Sequence, residues 1–199
     1  MKKVLYASLV LLALIAWRDW NNREIVHEAG ILVAEPPRQL NLRAVEPLEL
    51  GEYRLNRRAE FKLRARVLSR EDYRWGGESD LSPMDLALGW GVMSDQQVLD
   101  RITVTQGGRW YFTRYEYPAP VPDSMIINNS SNMHMIPASS WVRNKLKKIR
   151  RGDIVDLKGF LVDVSDESGF TWNTSLSRDD TGNGSCEIFY IEYIAVEEH

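Results

Sequence analysis

The chain has 199 residues, of which 44% are hydrophobic and 27% are charged, proportions that are typical of a globular protein and exclude a disordered or polytopic membrane protein. The length predicts one domain with an appendage. The 25 basic and 28 acidic side chains give a formal net charge of -3 and no global positive field, so we predict no nucleic-acid partner.

The first element in chain order is an uncharged apolar run at residues 4–17, which follows two lysines. A cationic start before a run of this length is typical of a secretory signal or an N-terminal anchor. The best signal-peptidase site ends at Ala16, but Leu14 stands where a small residue is required. We therefore expect residues 1–20 to form a single-pass anchor in the inner membrane, with the rest of the chain in the periplasm. The alternative is cleavage of this segment and secretion to the periplasm.

The rest of the chain divides into a linker and one globular domain. Residues 21–50 contain prolines and show little periodicity, which predicts a linker. Residues 51–199 are predicted to form a single β-rich domain. Within it, apolar and charged residues alternate strictly over residues 59–67, which predicts a half-buried strand with a basic outer face.

Local patterns in the middle of the chain predict short helices and a hairpin. Helices are expected to begin near Ser82, Ser94 and Ser139, because each serine is followed by residue types that favour a first helical turn. Two glycines at positions 107 and 108 lie between runs rich in β-formers. They predict a β-hairpin over residues 102–115.

The C-terminal third is entirely β in its pattern. Residues 154–164, 170–176 and 186–196 are predicted to form a meander that is continuous with the strand at 59–67. Gly159 stands at the centre of a segment that is apolar on both faces, where a curled strand needs a bend or bulge. We therefore predict an α+β, mainly β fold. Its core is a curled antiparallel sheet or a partly open OB-like barrel, with two or three short helices.

Several stretches resemble a group of uncharacterised exported or membrane-anchored proteins of Gram-negative bacteria. The resemblance rests on the N-terminal apolar run and on SREDYRWGGESDLSPMDLALGWGVMSD, SSNMHMIPAS and SLSRDDTGNGSCEIFYIE. It spans nearly the whole chain. No activity is known for that group, so the resemblance implies no catalytic residue.

Cys186 is the single cysteine of the chain, so no intramolecular disulfide can form. A lone cysteine beside a glycine-rich loop could act as a nucleophile, with His134 as its base and Asp179 or Asp180 as the carboxylate that orients the base. The alternative is that Cys186 is a small packed residue at the start of a strand. His134 is then a structural histidine.

Other patterns point to weaker candidates. Met133, His134 and Met135 could bind Cu(I) only if the segment is a loop or if other residues, such as Met93 and Met125, join them, because on a strand the histidine and the two thioethers face opposite ways. Ser131 with Lys145 or Lys147 could form a serine/lysine dyad, although their order and spacing do not fit known enzymes of that kind. We predict no metal centre and no cofactor.

The candidate binding residues are Trp75, Trp90 and Arg178. Two glycines follow Trp75, and a glycine stands on each side of Trp90, which can leave a ring face open as a platform for a sugar or a peptide. Arg178 is expected to clamp an acidic group or to pair with Asp153. The loop at 178–185 and the segment at 132–137 are expected to meet at one rim of the barrel.

The sequence therefore favours a membrane-anchored binding or interaction protein of the cell envelope. Its expected partners are the inner membrane, through residues 4–17, and an envelope protein. The alternative is an exported cysteine hydrolase or transferase that uses Cys186 with His134.

Overall fold

A computed structural model describes residues 23–177 and 186–197, together with positions 6 and 12. Its strands are β1 (Arg38–Asn41), β2 (Leu48–Leu50), β3 (Tyr53–Asp72), β4 (Met84–Gly89), β5 (Ile102–Gly107), β6 (Trp110–Tyr115), β7 (Ser130–Pro137), β8 (Ile154–Asp166), β9 (Thr171–Trp172) and β10 (Glu187–Val196). Its helices are α1 (Gln96–Leu99), α2 (Asp123–Asn128) and α3 (Ser140–Leu146), and a 3₁₀ turn covers Gly91–Ser94.

The large sheet follows a ring of strands. The pairings run from β3 to β4, β7, β10 and β8 and back to β3, and the ring is not closed as a barrel. All of these pairs are antiparallel except β7 with β10, which are parallel. The predicted mainly β fold with a curled sheet and short helices is therefore confirmed, although the parallel β7–β10 pair makes the sheet mixed rather than purely antiparallel.

Strand β3 organises the core, as the alternation at 59–67 predicts. Its inward side chains pack in the ring, where the rings of Phe61 and Phe189 meet edge to face with centroids 5.2 Å apart. Arg66 departs from the prediction of a basic outer face, because its side chain is 1% exposed. Its guanidinium donates to the backbone oxygen of Ser94 and to Oε1 of Gln96, which compensates in part for its burial.

Gly159 lies at an irregularity in the sheet, as predicted. It faces Ile191, and the register with β10 then shifts so that Lys158 faces Tyr193. A Cβ atom at position 159 would lie 1.9 Å from the backbone oxygen of Tyr190. The two backbones therefore approach so closely that only glycine fits there.

Two predicted elements are wrong. The helix expected after Ser82 is strand β4, every residue of which is buried. A strand that is buried on both faces shows no alternation of apolar and polar residues, so its sequence does not indicate a strand. The serine and proline that resemble a helix cap therefore led to the prediction of a helix. The strand expected at 170–176 is reduced to β9. The chain returns to pair β10 directly with β8, so the three segments do not form a simple meander.

The segment predicted as a linker takes part in the sheet. Strands β1 and β2 both pair with β3, and Val33 is 3% exposed within the ring core. Helix α3 agrees with the prediction, because the hydroxyl of Ser139 accepts the backbone N–H of Val142 at 3.3 Å. Helix α1 is capped by the side chain of Asp95 rather than by Ser94.

Within the described residues, no helix is long and apolar enough to cross a membrane. Apart from positions 6 and 12, the predicted anchor at residues 1–20 lies outside those residues.

Candidate functional site

The candidate site lies on the outer face of the ring, where β4 runs beside β7. Met84 and Leu86 of β4 and Met133 and Met135 of β7 pack into the ring core. Because successive side chains of a strand point to opposite faces, the residues between them, Asp85 and His134, point outward. These two residues face each other in the register, and Nδ1 of His134 lies 2.9 Å from Oδ1 of Asp85.

The tip of the β5–β6 hairpin covers this pair. Gly108 and Arg109 form its turn with φ angles of 61° and 71°. Glycine adopts positive φ freely, whereas the same conformation costs an arginine about 1 kcal/mol or more. The base of the hairpin is held differently, because Ile102 and Val104 pack in a separate apolar cluster that includes Leu68.

Arg109 extends from this turn to the outer face of the ring. Its Nη1 donates to Oδ1 of Asp85 at 2.7 Å, and its Nη2 donates to the backbone oxygen of Ser82 at 2.9 Å. The guanidinium carbon lies 3.8 Å from the ring centroid of Tyr73 and 5.5 Å from that of Trp172. Cation–π attraction therefore adds to the ion pair.

The carboxylate of Asp85 is buried but only partly satisfied. Its side chain is fully inaccessible, and among the described residues Oδ2 has no hydrogen-bond partner. Nδ1 of His134 is close to Oδ1 but lacks the alignment of an N–H···O hydrogen bond. Burial first, and then the negative charge of Asp85, raise the pKa of Tyr73 to about 12, so its phenol stays neutral and accepts the backbone N–H of Arg109 at 3.0 Å.

Cys186 belongs to the same cluster. Its half-buried thiol donates to the backbone oxygen of Arg109 at 3.8 Å, and it accepts from Nδ2 of Asn132 at the same distance. That amide group also donates to the oxygen of Arg109 at 3.0 Å. His134 is thus connected to Cys186 only indirectly, through Asp85 and then Arg109. The ring of His134 packs on Trp172 with centroids 4.6 Å apart.

The predicted binding tryptophans have different environments. Trp75 is 91% exposed, whereas Trp90 is 2% exposed and its indole N–H donates to the backbone oxygen of Asn128. Trp90 is therefore a core residue and not an open platform. Arg178 and Asp179, with the rest of the loop at 178–185, lie outside the described residues.

The other candidates do not assemble. Met133 and Met135 face the ring core and His134 faces outward, so the three side chains do not converge on a copper ion. Ser131 donates its hydroxyl to the carboxylate of Glu187. Among the described residues, no group of three or more His, Cys, Asp or Glu side chains is placed to hold a metal ion.

The main residues that sequence reasoning missed are Asp85 and Arg109. Asp85 stands alone in the apolar run MDLALG, and a charge inside a buried strand would have indicated a paired site. That signal is visible only if the run is read as a strand. Arg109 follows the glycine pair at a turn position where a positive φ is expected. Arginine is uncommon in that conformation, so its presence there could have indicated a specific role for its side chain.

The chain was compared with protein-family models, with curated proteins and with solved structures, and no match was found.

Proposed function

We propose that the protein is a membrane-anchored binding protein of the cell envelope, with its domain in the periplasm. Its binding surface is the Arg109 rim, which we define as the β3–β4 loop at residues 73–83, the hairpin tip at 106–110 and Trp172. The observation that carries the proposal is the 91% exposure of Trp75 on the loop that also supplies Tyr73 and Glu78 to Arg109. Tryptophan is one of the residue types that most often provide the binding energy of an interface.

The position of the rim in the fold agrees with this proposal. OB folds bind their ligands on the outer face of their second and third strands and on the loops beside it. In this ring β4 and β7 occupy those places, and they carry Asp85 and His134. Proteins that share a fold bind different ligands, so the residues at the rim decide which ligand binds.

The path of the chain supports attachment to a membrane. The backbone N–H of Ile25 donates to the oxygen of Arg151 at 2.9 Å, and Glu24 pairs with the guanidinium of Arg151 at 3.2 Å. The proposed anchor therefore joins the domain beside the basic stretch that runs from α3 to Arg151. Basic side chains close to an anchor favour anionic headgroups.

The test is co-purification of the full chain from detergent-solubilised membranes. We expect Trp75→Ala to reduce the recovery of the bound envelope protein at least about tenfold, because truncating a central aromatic anchor typically costs 2 kcal/mol or more. Trp141→Ala is the matched control, since Trp141 is 52% exposed on α3 and is expected to keep the partner. Equal recovery with both variants would exclude the rim as the binding surface.

We also propose thiol chemistry at Cys186 as the second candidate. It is favoured by the 2.9 Å approach of Nδ1 of His134 to Oδ1 of Asp85, because a carboxylate–imidazole hydrogen bond that is poorly aligned in the free protein can align when a substrate binds and then orient the imidazole as a base. Asp85 here takes the role that sequence reasoning gave to Asp179 or Asp180.

Alkylation by iodoacetamide at neutral pH tests this candidate. The expected result is a rate above that of free cysteine, which His134→Gln lowers at least about tenfold because it removes the base. His27→Gln is the control, since His27 hydrogen-bonds the backbone oxygen of Gly152 instead. If Cys186 is alkylated no faster than free cysteine, or if His134→Gln does not change the rate, thiol chemistry is excluded and only the binding function remains.

A further inference from the structure

We propose that the pocket around Arg109 is a receptor for a guanidinium group. In the resting protein Arg109 itself occupies it, and an arginine side chain of the partner polypeptide replaces Arg109 on binding. This inference rests on the proposed function, because it assigns a chemistry to the partner at the Arg109 rim.

The pocket has the parts that recognition of a guanidinium requires. Asp85 supplies a buried carboxylate, Ser82 supplies a backbone oxygen, and Tyr73 supplies a ring 3.8 Å from the guanidinium carbon. Glu78 adds a second negative charge 3.8 Å from Nε of Arg109. A planar fork of donors fits these acceptors and rings, whereas the compact ammonium of a lysine does not stack in the same way.

Arg109 fills this pocket incompletely. A guanidinium and a carboxylate pair best through two parallel hydrogen bonds. Arg109 reaches only Oδ1 of Asp85 and directs its second terminal nitrogen to Ser82, so Oδ2 is left buried and without a partner among the described residues. An incoming guanidinium that engages both oxygens would satisfy the atom that Arg109 leaves open.

The backbone conformation and the contacts of the hairpin tip also favour its displacement. Arg109 holds a left-handed backbone conformation with φ of 71°, so release of the tip relieves strain. The contacts of the tip, such as the amide of Asn132 with the oxygen of Arg109 and the phenol of Tyr73 with its N–H, are polar and can be replaced by water. The base of the hairpin remains fixed by the buried side chains of Ile102 and Val104.

Charge favours a cationic partner at this place. The side chain of Glu78 is 45% exposed, and the neighbouring Asp80 is exposed on the same loop, so the two carboxylates outweigh the one exposed cation of the loop, Arg74. Trp75 on that loop offers an open aromatic surface for the residues that flank the arginine. A ligand can displace the hairpin tip only if it binds more tightly to the protein with the tip released than to the protein with the tip in place. The bidentate contact with Asp85, which forms only when Arg109 has left the pocket, supplies this difference in affinity.

The first experiment uses Arg109→Gly, because glycine accepts the backbone conformation of position 109 and removes the occupant. We expect millimolar ethylguanidinium to raise the melting temperature of this variant by about 3 °C or more, while its neutral isostere ethylurea has no such effect. Adding Asp85→Asn should abolish the rise. Arg101→Gly is the matched control, since Arg101 is exposed and donates to the backbone oxygen of Pro118. A folded Arg109→Gly variant that responds equally to both compounds overturns the proposal.

The second experiment needs no variant, so it decides the question even if Arg109→Gly does not fold. Amide hydrogen exchange at residues 106–110 of the wild-type full chain is measured with N-acetyl-arginine amide or N-acetyl-citrulline amide in excess. We expect the arginine compound alone to accelerate exchange several-fold, and equal exchange with both compounds overturns the proposal. Both experiments use purified protein without an envelope partner, so their outcome is independent of the Trp75→Ala test.

Discussion

Replacing Asp85 by alanine is expected to lower the free energy of unfolding by about 3 kcal/mol. The substitution leaves the guanidinium of Arg109, whose side chain is 17% exposed, without its nearest counter-charge. Glu78 compensates little, because it is 3.8 Å away and nearly half exposed to water. Urea denaturation followed by tryptophan fluorescence measures the loss. The double variant with Arg109→Ala is expected to lose less than the sum of the single variants, because the two residues interact directly.

Asp72→Ala is the matched control for this prediction. Asp72 also pairs with an arginine, Arg70, at 2.8 Å, but its side chain is 47% exposed. A pair whose carboxylate is exposed to water contributes only about 0.5 kcal/mol. If Asp85→Ala costs no more than Asp72→Ala, the Asp85–Arg109 pair does not hold the hairpin tip on the ring.

Substitution of Gly159 by alanine should reduce the free energy of unfolding by about 3 kcal/mol or more. The new Cβ would lie 1.9 Å from the backbone oxygen of Tyr190 and 3.2 Å from the backbone nitrogen of Glu192. Backbone atoms of a paired strand cannot move aside as a flexible side chain can. The β8–β10 pairing must therefore separate locally, and the ring loses hydrogen bonds where β10 joins it. Thermal and urea unfolding of the purified variant measure the effect.

Gly77→Ala serves as the control, because a Cβ at that position meets no atom within 4 Å. Its expected effect is within about 0.5 kcal/mol of zero. A Gly159→Ala protein as stable as the Gly77→Ala protein would show that the close approach to Tyr190 is not required by the fold.

The parts of the fold that sequence reasoning predicted are those with a local signal. The inward side chains of β3 alternate with charged ones, the β5–β6 hairpin has a glycine pair, and α3 has a serine cap before an apolar period. The strand β4 has no such signal, because it is buried on both faces. The parallel pairing of β7 with β10 joins residues that are more than fifty positions apart, and no local pattern specifies it.

The residues of the candidate site also divide into those that the sequence indicates and those that it does not. His134 and Cys186 were found from the chemistry of their side chains alone. Asp85 was missed because its strand was read as a helix. The link between these residues depends on Arg109, which arrives from a separate hairpin, so tertiary structure alone brings the cluster together.

The position of β10 in the ring has a consequence for the way the protein folds. Although β10 follows every other described strand along the chain, it lies between β7 and β8, with Phe189 and Ile191 in the ring core. During synthesis β7 and β8 therefore keep unpaired edges until Glu187 and the residues after it have emerged. Late contacts between distant segments make folding slow, and open edges promote association with other chains. We therefore expect a chain cut before Glu187 to aggregate rather than to fold as a smaller version of the domain.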